Sequence, residues 1–529
     1  MISRGWLLSF GLGLALAIGG CGRGGFSKTG GAKGNELKIV LNVNPTSLDP
    51  AVAQDVDTAD LLINIYEPLV SYNEKNEIVG QLAETWTVEN EGKTFVFTLR
   101  AAKFHNGQAV TAEDVKATFE RNLGPKSVST TAKAYLTDIV GANERLAGKA
   151  ESVSGVEVRA PNIVAITLDK PRPYFLGKLT YGCAYILPKS AANKEISSPA
   201  DAIGTGPFVL KSFAPEQEVI LEPFADYYGG RAKVDRIVRP IVKDATTRLN
   251  LMKSGDLSYL GIQRSDIKEA SADPALKALL VDLPRPAVWY LGLNQDVYKP
   301  FRDMRVRRAF AMAFDRARIC SEVLQGTPEA KGLVPPGIVG YRPDYAGLPY
   351  NPAEAKLLLA EAGFPGGKGL PPLQLTHRDQ SPDARLLAEA FAIDVKKNLG
   401  VEVKLQTMEW RSFLEARNAG KVAFYVLSWY ADYLDPENFL SLLLSSKSDQ
   451  NRDGYRSEEF DRLCGLADVE QDAKRRIKLY QQAEDTVVEE AGRIPIFFVN
   501  DAVLVSPRVK GLKSNLFGQL PHLTTEVTP

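Results

Sequence analysis

The stretch from Ser428 to Phe439 (SWYADYLDPENF) sets two aspartates directly behind an apolar, aromatic run. Asp435 has an ordinary task in this reading. Followed by Pro436 and Glu437, it opens a helix as capping acid, proline at the first helical position and acid near the positive end of the dipole. Asp432 has no such task, for it lies between strand and cap, flanked by Trp429, Tyr430 and Tyr433. A carboxylate shielded by aromatic rings can pair with a cationic ligand through charge-assisted bonds of about 1.5–3 kcal/mol. It can also bond a local turn amide, and the residues alone leave both roles open.

Covalent chemistry finds less support. The chain has neither a G-x-S-x-G elbow nor an H-E-x-x-H helix. Gly92-Lys93-Thr94 has Thr87 where the first glycine of a phosphate loop belongs. The only histidines are His105, His377 and His522, and His105 reads as a turn residue beside Asn106-Gly107. So few histidines weigh against acid–base or nucleophilic catalysis, although one beside a nucleophile would suffice. Cys183, Cys320 and Cys464 follow no zinc spacing and read as buried apolar residues allowing at most one disulfide. The expectation is a binder with no catalytic residue, no metal and no cofactor.

The elements that must position Asp432 are readable. Lys421 to Trp429 reads as a short buried strand, and Gly400 to Leu405 as another, entered from a helix over Phe391–Leu399. Glu36 to Val43 alternates as a strand, and Asp57 to Leu69 carries helical spacing. Gln81 to Arg100 forms two strands joined at Asn90-Glu91-Gly92. Thr111 to Asp114 is a capping box, Asn351 to Glu354 caps a helix ending at Gly363, and Arg305 to Leu324 reads as one long helix. Such mixed units in 529 residues predict an α/β chain of two or three domains.

Lys plus Arg equals Asp plus Glu at 64 each, so the bulk charge gives no sign of a nucleic-acid partner. Arg4, an apolar stretch from Trp6 to Ile18 and Gly19-Gly20 before Cys21 make a secretory signal over residues 1–20. Small residues before that cysteine resemble the bacterial lipobox, which implies lipidation at Cys21. Gly22 to Asn35 then reads as a glycine-rich tether. An extracytoplasmic, membrane-anchored lipoprotein is expected, in the periplasm or on the outer face of the cell membrane.

From about Glu36 onward the chain resembles the extracellular solute-binding proteins of peptide-type ABC transporters. The resemblance is carried by AETW, KTFVFTLR, KFHNG and TAEDV between Leu82 and Glu120. It continues in SLDPA (47–51), GTGPF (204–208), FRDMRVRRAFAMAFDR (301–316) and WYADYLDP (429–436). It implies a periplasmic-binding-protein-like two-lobed fold (type II, cluster C) with an extra third domain. Lobe I would comprise residues 36–66, 189–284 and 493–529, the extra domain 67–188, and lobe II 285–492.

It also implies a monomeric carrier that captures extended peptides and delivers them to permease subunits. Asp432 would hold the peptide's α-amino group beside Trp429, while Ser428, Trp429, Tyr430, Ala431 and Asp432 on one side, and Gln54, Asp55 and Val56 on the other, would bond its main chain. Arg417 would serve the carboxylate and Trp410 a side-chain pocket. The sequence departs from the family at Val426, which replaces a second arginine, at Ala384, which matches a histidine, and at Tyr430, which replaces a disulfide cysteine. The same scaffold also implies alternatives, namely nickel complexes, haem, oligosaccharides or a signalling receptor. A hydrolase is the rival outside the class.

Overall fold

A computed structural model describes residues 35–528 except 54, 130, 193 and 380. The leader, Cys21 and Gln54 therefore lie outside the described residues. Three sheets of four or more strands organise the chain.

In the first sheet Glu36–Lys38 runs parallel to Arg236–Pro240, followed antiparallel by Glu218–Pro223 and Phe208–Ala214. The expected strand over 36–43 keeps a ladder only to Lys38, continued by single bridges at Ile39 and Leu41. Leu37, Ile39, Phe208, Leu221 and Ile237 fill its core. The GTGPF stretch has a steric origin here. Gly206 N–H donates to the Ile65 carbonyl at 2.9 Å and Phe208 N–H to that of Asn64 at 3.0 Å. A Cβ on Gly204 would stand 1.9 Å from the same Ile65 oxygen. Gly204→Ala is expected to destabilise the protein by about 1–3 kcal/mol, read as a lowered urea midpoint at unchanged slope. An unchanged midpoint would show that this backbone approach is loose.

The second sheet is antiparallel throughout, in the order Ala83–Glu89, Thr94–Leu99, Ile163–Thr167, Val156–Ala160. It buries Phe95, Phe97 and Leu99 under the helix Ala112–Asn122. That helix starts with the capping box read from sequence, Asp114 Oδ2 accepting from Thr111 N–H at 2.9 Å.

The third sheet carries the site. Its order is Tyr259–Ile262, Arg493–Val505, Leu280–Leu293, Phe424–Tyr430, Leu373–Arg378, Val403–Met408. The expected lobe boundary at 284/285 falls inside the strand Leu280–Leu293. The pairing of that strand with Arg493–Val505 slips between Pro284 and Val288, and Arg285 sits in this bulge. The lobe names are kept below as a proposed division.

The long helix expected over 305–324 is broken. Met304–Met312 ends, Asp315 caps Arg316–Arg318 by accepting from Arg318 N–H at 3.0 Å, and Ile319–Val323 continues as a π-turn. The cap is an aspartate inside the apolar periodicity, and Asp315 N–H is itself anchored on Asp394. The expected helix over 57–69 likewise spans only Val56–Leu62. Cys183, Cys320 and Cys464 are buried free thiols, each raised by burial. Among the described residues no helix is long and apolar enough to cross a membrane.

Candidate ligand-binding site

The strand Phe424–Tyr430 is central in its sheet at one end and an edge at the other. Along its whole length it pairs with Leu280–Leu293. On the opposite side its ladder to Leu373–Arg378 consists of one pair, Thr376 with Tyr425. From Leu427 to Tyr430 that side has no ladder partner among the described residues, so its amides and carbonyls are open to another extended chain.

Beyond the edge the chain turns, and the turn is packed against the domain 67–188. Tyr433 has no exposed surface and belongs to that domain's core, stacked on Tyr174 at 6.4 Å and edge-on to Tyr135 at 6.0 Å. Leu434 N–H donates to Tyr72 O–H at 3.1 Å. The docked turn leaves Asp432 partly accessible beside Trp429, with Tyr135, itself stacked on Tyr181 at 4.7 Å, reaching it from the other domain. The Tyr135 hydroxyl donates to the Asp432 carboxylate. Asp432 N–H and Trp429 Nε1 both donate to Asn438 Oδ1, at 3.1 and 2.9 Å. Asp432 has no cationic partner among the described residues, and burial pushes its carboxyl up to about 6 against the bonds from Tyr135 and Asn438.

Asp435 contrasts with it. It caps the short turn Pro436–Asn438, accepting from Glu437 N–H at 3.0 Å, and forms a two-pronged ion pair with Arg476 at 2.7 and 2.8 Å. Behind it, Lys178 and Arg172 both bond Asp138, at 2.7 and 3.0 Å. Glu437, pushed up to about 7 by burial, accepts from the Tyr433 hydroxyl. Asp435 and Asp138 thus have cationic partners, whereas Asp432 and Glu437 each accept from a tyrosine hydroxyl and form no ion pair among the described residues; of these two only Asp432 is partly accessible.

Tyr430 lines a cavity of about 350 Å³ between the first and third sheets, shared with Val56, Trp289, Arg285, Arg378 and Asp501. A larger, shallower depression of about 590 Å³ lies at the outer hairpin around Asn90–Lys93 and holds none of the expected ligand-binding residues. The inter-sheet cavity therefore brings together Val56 and Tyr430, two of the expected site residues. Asp55 stands beside it with its side chain occupied, accepting from Thr58 N–H at 2.8 Å as a helix cap and from Thr46 Oγ1 at 2.5 Å. Ser428 pairs with Trp289 in the sheet, and Ala431 N–H donates to the Pro286 carbonyl at 2.8 Å.

Arg417 is placed elsewhere. It is 6% exposed, lies over the Tyr425 ring at 5.3 Å and is absent from the cavity wall. The guanidinium that does line the cavity near Trp410 is Arg378, 5.0 Å above that half-exposed ring. Its side chain makes no hydrogen bond or ion pair among the described residues, and burial lowers its pKa. The sequence offered one faint cue to Arg378, its place at the end of an alternating strand, whereas Tyr135 and Tyr181 gave none.

Among the described residues no group of three or more His, Cys, Asp or Glu is arranged to hold a metal ion. His105, held by its contact to the Gly206 carbonyl at 3.0 Å, is pushed down to about 4 by burial.

Residues 77–451 match the model of the bacterial extracellular solute-binding proteins, family 5. The chain belongs to this family. Relatives of the family 5 protein include the dipeptide-binding protein DppE of Bacillus subtilis, 30% identical over 98% of each chain. The heme-binding protein A of Haemophilus influenzae is 31% identical, covering 86% of this chain and 85% of its own. The solved structure of the Escherichia coli murein tripeptide binding protein MppA superposes with a TM-score of 0.83 at 28% identity, over 94% of this chain and 99% of that one. The family 5 protein thus has the α/β two-lobed fold of periplasmic binding proteins.

Proposed function

We propose that this family 5 protein captures short peptides outside the cytoplasm and passes them to an ABC permease, tethered as a monomeric lipoprotein through Cys21. The observation that carries the reading is Asp432, a recessed carboxylate ringed by Trp429, Tyr135 and Tyr433, without an ion pair, at the end of an open strand edge. A free α-ammonium supplies the missing charge. Main-chain bonds to Ser428–Tyr430 and to the segment 54–56 then hold the peptide without reading its side chains. Several relatives carry peptide-binding names, the dipeptide-binding protein of Bacillus subtilis among them, which supports this ligand class over the haem of another relative.

Arg378 is the cation we assign to the peptide carboxylate in place of Arg417. Its planar fork suits a carboxylate, and stacking on Trp410 fixes its plane. Arg378→Gln is expected to weaken a free-acid peptide about tenfold and leave its C-terminal amide within about twofold, by titration calorimetry. Equal losses for both forms would move the carboxylate to another residue.

Native mass spectrometry of the purified protein, with denaturing release of what co-purifies, tests the class itself. A ladder of short mixed peptides is the expected result; a single defined non-peptide mass overturns the reading.

A further inference from the structure

The cavity wall contains more cationic capacity than one terminal carboxylate uses. Of its arginines, Arg239 is paired with Asp60 at 3.0 Å, Arg264 with Asp383 at 2.5 Å, and Arg248 donates to the carbonyls of Val242 and Lys243 at 3.0 and 2.7 Å. Arg378 is unpaired. Arg285 is the remaining one, and its situation is unusual.

Arg285 is 8% exposed, yet its guanidinium, the buried Nε included, makes no hydrogen bond among the described residues. Asp501 pairs with this Nε only at 3.5 Å, and its side chain is 40% exposed. A desolvated guanidinium without hydrogen bonds is costly and is rarely kept without a partner. The group is also held in place. Arg285 sits in the bulge of Leu280–Leu293, 5.9 Å over the Tyr430 ring, and its Nη1 rests on the C-terminal segment at Gly518. Gly518 has a φ of +69°, and a Cβ there would stand 1.5 Å from Nη1. The segment is shaped to admit this guanidinium and no side chain in its place.

Arg285 and Arg378 both lie close enough to Tyr430 to bias its hydroxyl downward against burial. Two arginines with spare donors beside one ring can receive two carboxylates only a few ångströms apart, the spacing that a C-terminal Glu or Asp offers.

We propose that Arg285 is a specificity-determining residue, a second anion receptor that makes the preferred ligand a short peptide ending in an acidic residue. This rests on the peptide reading proposed above, in which the cavity would take the carboxyl end of the ligand bound at Asp432.

The test is calorimetric titration of the purified full-length protein with Ala-Glu, Ala-Gln and Ala-Lys. Ala-Glu is expected to bind about tenfold more tightly than Ala-Gln, with Ala-Lys weaker again. Arg285→Gln should bring the Glu-to-Gln ratio to within about twofold, the loss falling chiefly on Ala-Glu. Asp501→Asn, which removes the competing carboxylate, should preserve or raise the ratio. Equal binding of Ala-Glu and Ala-Gln by the parent protein overturns the second receptor and leaves the peptide reading standing. A ratio that survives Arg285→Gln moves the receptor to another residue and overturns this assignment, whereas a failure of peptides as a class, here and in the co-purification, removes both.

Discussion

Asp432→Ala is expected to weaken a free-amine peptide about 30-fold and its N-acetylated counterpart by less than about threefold, by calorimetric titration. The difference follows from a carboxylate that forms no ion pair among the described residues. Tyr135 gives the carboxylate a hydrogen bond and no countercharge, so the ammonium is the partner whose loss the substitution exposes. An acetylated amine carries no charge, and for it the substitution removes only a neutral contact. Equal losses for the two ligands would make Asp432 a turn residue.

The same carboxyl fixes a pH dependence. Its ordinary value is 3.8, and burial pushes it up to about 6. Below 6 the carboxyl holds a proton and offers an ammonium little, so affinity for free-amine peptides should fall by up to about tenfold per pH unit from there downward. For stability the sign runs the other way from a salt-bridged acid. A carboxyl whose folded pKa is raised contributes stability fully present below 3.8 and lost as pH rises through about 6. Asp432→Asn, which cannot ionise, should therefore be about 3 kcal/mol more stable than the parent at pH 7.5 and equal to it at pH 3.5 without peptide. A variant destabilised at both pH values would show that the carboxylate is structurally required.

Asp453→Ala should produce the largest loss of stability, about 3–5 kcal/mol, because it strands a charge buried against the third sheet. Asp453 and Arg493 are 0% and 1% exposed, joined by Nε and Nη2 contacts of 2.8 and 2.6 Å. Tyr425 O–H donates to the other carboxylate oxygen, Arg493 lies 4.1 Å over Tyr290, and Arg417 covers Tyr425 from outside. Removing the carboxylate leaves the Arg493 and Arg417 guanidinium groups, over Tyr290 and Tyr425, with no anion between them. The lost stability should appear in urea unfolding of the third sheet, followed by Trp289 and Trp429 fluorescence. A loss under about 1 kcal/mol would mean that Arg493 finds carbonyl acceptors instead. Peptide affinity should fall as well, since Tyr425 belongs to the strand whose far end forms the open edge.

This network also explains what could be read from sequence around the site and what could not. The local signals held: the capping box at Thr111, the cap at Asn351, and the turn placing Asp432 apart from Asp435 all depend on residues within four positions of one another. Arg417, Arg378 and Arg285 are three arginines on strands or helices with nothing local to distinguish them. Their roles depend on which acids lie within reach. Arg417 meets Tyr425, eight residues on; Arg285 meets Asp501 and Gly518, more than two hundred residues on; and Arg378 forms no ion pair among the described residues. Tyr135 is separated from Asp432 by 297 positions. The absence of a partner is a property of the whole fold, and no spacing in the chain encodes it. The broken helix at Asp315 failed for a related reason, an aspartate whose capping role is secured by the distant Asp394.

The seating of Tyr433 bears on how fast ligands exchange. The residue next to the ligand carboxylate is a ring locked in the neighbouring domain's core, so the turn cannot swing away until that ring is withdrawn. Re-exposing a buried ring of this size costs about 2–3 kcal/mol, a toll independent of which peptide is held. Dissociation should then share one slow step across ligands of different affinity, and shaving the ring to leucine should shorten the residence times of all of them by a common factor. On the proposed reading, turnover would be set by this latch, and a transporter that pulled on the turn would empty it without competing for the peptide.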